Sequence, residues 1–210
     1  PTAVINDFSL LTSLSDRDWR SGFSEAVKVA LLKDKREFEL LEKHADAIAH
    51  RSEAESQRSI TRSAELHWRH IVEGGDPFED EVARPLDYGH WSAHRLERLA
   101  DGDLKHGEAV AIGLGIDAAL AVELGHATSE FQHRVLGVLH KLGFTLDHPQ
   151  LDDPAALFVG IEQFRAHLGG ALTLTLVAEP GVSFDIHEAD FDLISKAIER
   201  HRSMVRTLLV

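Results

Sequence analysis

Glu25, His90 and His106 are residues whose types could hold one metal ion between them. They sit in Gly22-Phe23-Ser24-Glu25-Ala26-Val27-Lys28, in Gly89-His90-Trp91-Ser92-Ala93-His94 and in Lys105-His106-Gly107-Glu108-Ala109. Two neutral imidazoles and one carboxylate leave a coordination position open on Zn²⁺ or a similar ion, the arrangement of a catalytic rather than a structural site. The chain has no cysteine. Disulfides and thiolate ligands are therefore excluded, and any metal must be held by histidine and carboxylate.

Each segment also has an ordinary reading. Glu25 and Lys28 stand one helical turn apart, the spacing of a common surface ion pair. Gly22 and its apolar neighbours would let this helix start lie close to another backbone. His90 and His94 are i and i+4, so both rings leave one face of a helix; that spacing suits metal chelation and also occurs on ordinary surfaces. Gly89 suggests close packing at the start of that helix, where the dipole favours an anion such as phosphate. His106 opens a strongly apolar helix, a place where a capping or satisfied core histidine is common. Glu108 could orient a ligand histidine. Gly113 and Gly115 follow no strand, so helix packing explains them better than a dinucleotide site. His67, Arg69 and His70 cluster on one helix, either solvated or offering cationic and hydrogen-bonding groups to an anionic substrate.

The elements that must position these residues are mainly helical. Ser15 is a candidate N-cap ahead of a short turn. Residues 21–50 carry apolar side chains at helical spacing (Phe23, Ala26, Val27, Ala30, Leu31, Phe38, Leu41), and 52–73 form a polar amphipathic helix ended by Gly74-Gly75-Asp76-Pro77. Further helices are expected over 87–99, 106–124 and 128–142, from Pro154 onward, and over 189–203. The stretch 106–124 is apolar on all sides and should be buried. Strict alternation over Leu172–Val177, the Pro180-Gly181 turn and Val182–His187 predict a hairpin. Pro1–Asp7 reads as the end of a strand whose partners this chain hardly supplies. The fold class is mainly α with one small β-hairpin.

Bulk composition narrows the partners. The 210 residues suffice for a well-buried core, and 43% hydrophobic with 27% charged residues is ordinary for a globular protein. A formal charge of -13 argues against a nucleic-acid or anionic-membrane partner. No stretch approaches the roughly 18 apolar residues of a membrane span, and no signal peptide opens the chain. A cytoplasmic location suits the cysteine-free composition. The chain opens on Pro1 rather than Met, so we expect residues 1–14 to be the end of an upstream domain and its linker, and 15–210 to be the helical domain.

Ser24-Glu25-Ala26-Val27-Lys28, Asp87-Tyr88-Gly89-His90-Trp91-Ser92-Ala93-His94-Arg95-Leu96-Glu97 and His106-Gly107-Glu108-Ala109-Val110 occur in that order. Together they resemble the C-terminal domain of dehydroquinate synthase and its sugar phosphate cyclase relatives, over essentially the whole chain. The resemblance implies that Glu25, His90 and His106 ligate zinc or cobalt, that Lys28 and His94 act on the substrate, with His94 near its phosphate, and that Arg84 helps bind it. It also implies tightly bound NAD, held mainly by an upstream α/β domain, a phosphorylated sugar substrate and a homodimer. The family oxidises a secondary alcohol transiently, eliminates phosphate, reduces the ketone and closes a carbocycle. Without the upstream domain, the 210 residues alone should not catalyse this.

Three positions depart from dehydroquinate synthase itself. Asp87 stands where the family usually has asparagine beside the phosphate. His70 replaces a lysine expected to meet the substrate carboxylate. Phe164-Arg165-Ala166-His167-Leu168-Gly169-Gly170 occupies the region of a further phosphate-contacting lysine. A desolvated carboxylate needs a cationic partner, so the expected substrate is a neutral heptulose phosphate such as sedoheptulose 7-phosphate, giving a valiolone-type cyclitol. The Arg84-Pro85 pair and the Gly-His-Trp run resemble those relatives more than dehydroquinate synthase. The alternatives are dehydroquinate synthase proper, a metal- and NAD-dependent polyol or alcohol dehydrogenase of the same fold, and a non-catalytic interaction module.

Overall fold

The computed structural model describes residues 2, 3, 5–73 and 85–209. Helix α1 (Asp16–Lys33) starts where the Ser15 side chain accepts the Asp18 N–H, with Asp16 and Asp18 in its first turn. Such a cap contributes about 1 kcal/mol, and the two acids complement the helix dipole. The single helix expected over 21–50 is two. Asp34 adopts an extended conformation (φ -151°), donates its N–H to Ala30 O and accepts the Glu37 N–H, ending α1 and opening α2 (Lys35–Ala49). Arg62 holds the other Asp34 oxygen through Nε and Nη2 at 2.9 and 2.5 Å.

Helix α3 (Glu53–Glu73) follows its expected span. The Gly74-Gly75-Asp76-Pro77 turn and Arg84 lie outside the described residues. The helix expected from residue 87 begins later, as α4 (His90–Ala100), because Pro85–Asp87 form a 3-10 turn and Gly89 turns left-handed at φ 79°, a region glycine enters without a Cβ penalty. Then come α5 (His106–Glu123), α6 (Ser129–Lys141), and α7 (Pro154–His167), which the Asp153 side chain caps. Strands β1 (Leu174–Glu179) and β2 (Val182–Ile186) pair antiparallel, Leu174 opposite Ile186 and Leu176 opposite Phe184. Helix α8 (Phe191–Leu208) closes the chain.

Residues 5–7 are not strand; a 3-10 helix follows at Phe8–Ser13, and the described sheet consists of β1 and β2 alone. The strand expected at Pro1–Asp7 therefore does not form among the described residues. Helix α5 is the axis of the domain: α1, α4, α6, α8 and β1 all pack on it. Val110, Ile112, Leu114, Ile116 and Leu120 are fully buried around it, each stabilising by about 1.5–3 kcal/mol on burial. No helix among the described residues is long and apolar enough to cross a membrane.

Candidate functional site

Three helices carry the candidate ligands: α1 holds Glu25, and α4 and α5 each begin on a histidine. Backbone approaches set their separation. A Cβ on Gly107 would stand 2.2 Å from Ser21 O, so α5 starts directly against α1. Arg17 reinforces this by donating Nε and Nη2 to the Glu108 carboxylate at 2.7 and 2.6 Å. Lys105 pairs with Asp18 across the same junction. On the far side, a Cβ on Gly113 would lie 2.0 Å from Gly89 O, so α4 also starts in backbone contact with α5.

These contacts bring Glu25, His90 and His106 together. Glu25 Oε1 lies 3.4 Å from His90 Nε2 and 3.5 Å from His106 Nε2. Each imidazole is oriented from its other nitrogen: His90 Nδ1 donates to Tyr88 O at 3.0 Å, and His106 Nδ1 to Glu97 Oε2 at 3.0 Å. Carbonyl and carboxylate oxygens only accept, so in its neutral, metal-binding form each ring keeps its proton on Nδ1 and aims an Nε2 lone pair at Glu25. Glu25 Oε1 is buried without a hydrogen-bond partner, while Oε2 pairs with Lys28 Nζ at 2.6 Å. Two imidazole nitrogens and an orphaned carboxylate oxygen, oriented from behind, fit a divalent cation such as zinc.

The electrostatics agree. Burial pushes the Glu25 carboxyl up, but the His106 and His90 rings and the Lys28 ammonium outweigh it and hold it well below the carboxylate range. His106 is raised to about 9 by Glu25, against partial burial, with help from Glu97. His94 is lowered, first by desolvation and then by the neighbouring His90, although part of its surface meets solvent. Its ring centroid lies 5.4 Å from that of His90 and 5.9 Å from that of His106. His94, Glu97 and His106 form a second grouping whose ligand atoms lie within 4.8 Å of one another, sharing His106 with the first.

Beside His94 opens a cavity of about 590 Å³ between α4 and α7, lined by Asp87, Trp91, Arg95, Arg98 and Gln163. Arg98 Nη1 donates to Gln163 Oε1 at 3.0 Å, and Arg95 Nε to Ala156 O at 2.8 Å. A second cavity of about 350 Å³ is lined by Glu25, His67, Trp19 and Phe23 among others. Lys28 is buried in the C-terminal half of α1. Asp87 is half-buried beside His94, whereas His70 is half-buried near the end of α3 and joins neither ligand grouping.

Two sequence readings change. Glu108 binds Arg17 and caps its own helix through Lys105 N at 3.0 Å; Glu97 is the acceptor behind His106. Its signal was its place three residues after His94, on the same helix face. A Cβ on Gly22 would meet nothing within 4 Å, so the close approach belongs to Gly107.

The sequence profile described as 3-dehydroquinate synthase C-terminal matches residues 22–160, a span that contains Glu25, His90, His94, Glu97 and His106. The chain belongs to this family. Among its relatives, the 2-epi-valiolone synthase of Actinosynnema mirum is 29% identical over 209 residues, covering 96% of this chain and 53% of that protein. The 3-dehydroquinate synthase of Dictyoglomus turgidum is 32% identical over 203 residues, 93% and 55% of the two chains. The 2-epi-5-epi-valiolone synthase of Streptomyces hygroscopicus, solved with NAD+ and Zn2+ bound, superposes with a TM-score of 0.87 at 25% identity, covering 93% of this chain and 54% of that one. The chain spans about half the length of the curated relatives it matches.

Proposed function

We propose that the protein carrying this chain is a metal- and NAD-dependent sugar phosphate cyclase that oxidises, dephosphorylates by elimination and cyclises a neutral heptulose phosphate, with sedoheptulose 7-phosphate the preferred substrate and a valiolone-type cyclitol the product. The observation that carries the reading is the convergence of Glu25 Oε1 with His90 Nε2 and His106 Nε2, with Lys28 and His94 beside them. Glu25, His90 and His106 hold the cation, zinc or cobalt; His94 and Lys28 act on the substrate; Asp87, His70 and Arg84 bind it. When bound, the cation supplies Lewis acidity toward a substrate hydroxyl, and NAD supplies hydride transfer.

The chain's own groups have distinct tasks. Lys28 Nζ, anchored on Glu25 Oε2, presents a positive charge to an oxygen placed at the open face of the site. Desolvation, and after it the neighbouring His90, bias His94 toward its neutral form, so its ring can take the proton that must leave carbon when phosphate departs. The cavity beside it, with Arg95 and Arg98 in its wall, suits the phosphate. The described residues contain no parallel βαβ unit for a dinucleotide, and NAD belongs mainly to an N-terminal domain upstream. Residues 1–210 alone are inactive in this reading, and the full enzyme is a cytoplasmic homodimer.

The near-equal matches to 3-dehydroquinate synthases favour one second reading, in which the substrate is the carboxylated seven-carbon heptulosonate phosphate. Incubating the full protein with NAD, Zn²⁺ and each substrate separates the two. Phosphate release with a carbocyclic product from sedoheptulose 7-phosphate supports the first reading; turnover of the carboxylated substrate alone overturns it. A simple ketone without phosphate release would point to a dehydrogenase of the same fold.

A further inference from the structure

Asp117 is a fully buried acid in the middle of α5 that the proposed chemistry does not use. Its carboxylate spends both oxygens on the residues flanking His90: Oδ2 accepts the Gly89 N–H at 2.7 Å, and Oδ1 accepts the Trp91 indole N–H at 2.7 Å. Gly89 is the left-handed residue from which α4 starts, and its carbonyl touches the Gly113 backbone one turn before Asp117. Trp91 is buried under the cavity beside His94. Burial raises the Asp117 carboxyl to about 7, against the Trp91 and Gly89 donors that favour its ionised form; a buried carboxylate is tolerated only with its hydrogen bonds made, so the two donors tie the start of α4 to α5.

From this geometry we infer that Asp117 is a positioning residue for the metal ligand His90, clamping Gly89 and Trp91 so that His90 Nε2 faces Glu25 and His106. The inference rests on the proposed metal reading. Groups that orient a ligand without touching the metal typically account for about 10–100-fold in affinity. In Asp117→Asn the amide oxygen can keep one donor, but the amide N–H₂ must then confront the other. The pair of donors facing each other tilts the helix start or expels the indole.

The test is Co²⁺ titration of the full protein, following its d–d absorption, alongside thermal unfolding of the metal-free form. His90→Ala should abolish the signal and so locate the probe. D117N should bind Co²⁺ about 10–100-fold more weakly with a changed spectrum. Leu41→Ala, a buried α2 change away from the site, should lower the melting temperature while keeping wild-type affinity. Trp91→Phe in the D117N background removes the opposing donor and should recover part of the affinity. Wild-type Co²⁺ affinity in D117N, or a loss no larger than in L41A, overturns the inference while leaving the metal reading intact. If D117N does not fold, W91F alone decides: weaker Co²⁺ binding supports the clamp, and unchanged affinity overturns it. A wild-type protein that binds no Co²⁺ removes the metal reading, and the inference with it.

Discussion

Glu97 stands behind His106: its Oε2 accepts the Nδ1–H at 3.0 Å and leaves Nε2 facing Glu25. The two residues come from different helices, α4 and α5. The first expected outcome follows from this pairing. Glu97→Ala should weaken zinc binding by about 10–100-fold, the range for a group that orients a ligand. His106→Ala, which removes a donor itself, should cost more. Competition with a chromophoric chelator measures both, and equal effects would show that Glu97 itself reaches the metal.

Metal affinity should rise with pH. In the metal-free protein His106 is raised to about 9, chiefly by Glu25, so at neutral pH it holds a proton that zinc must displace. Its contribution to metal-free stability is fully present below the free histidine value of about 6.5 and is lost as pH rises through about 9. Calorimetry in buffers of different ionisation enthalpy should detect about one proton released from His106 per metal at pH 7. Affinity independent of pH between 6 and 9 would contradict this.

His201 gives a slope of the opposite sign, away from the site. It is fully buried on α8, its Nε2 donates to Leu146 O at 2.7 Å, and burial lowers its value below that of a free histidine. The unfolded chain therefore gains a proton before the folded one does. Stability should fall as pH drops through about 6.5, by at most one proton's slope from this residue. His201→Gln should flatten that limb in urea unfolding, and an unchanged slope would place the titration elsewhere.

Gly107→Ala tests the junction of α1 and α5. The added methyl would sit 2.2 Å from Ser21 O, a backbone atom, so the helices must part. A loss of about 1–3 kcal/mol is expected, as for other overpacked sites. Zinc affinity should fall too, because Glu25 and His106 ride on the two helices. Gly22→Ala, with open space around it, should do neither and is the control.

What the sequence could show depended on range. Helix spans, the Ser15 cap and the hairpin were legible because they depend on periodicity and on hydrogen bonds within a few residues. The break at Asp34 was not, because the apolar stripe runs through it from Leu31 to Phe38, and only the acceptor geometry of its side chain and Arg62 marks it. The strand expected at Pro1–Asp7 required a partner strand, which is a tertiary property.

At the site, residue types and flanking segments alone named Glu25, His90 and His106, since ligand chemistry belongs to the side chain. Tertiary structure decided how they are used. Glu108 stands two residues after His106 and Glu97 three after His94, but Arg17 on α1 claims the first and leaves the second for His106. Likewise, Asp117 reads as a stray acid in an apolar helix until α4 crosses α5 and brings two donors to it. Partner choice is set by how helices distant in sequence pack. That packing is fixed by backbone contacts, Gly107 on Ser21 and Gly113 on Gly89; the glycines mark close packing in the sequence, but which backbone each one meets is set by the fold.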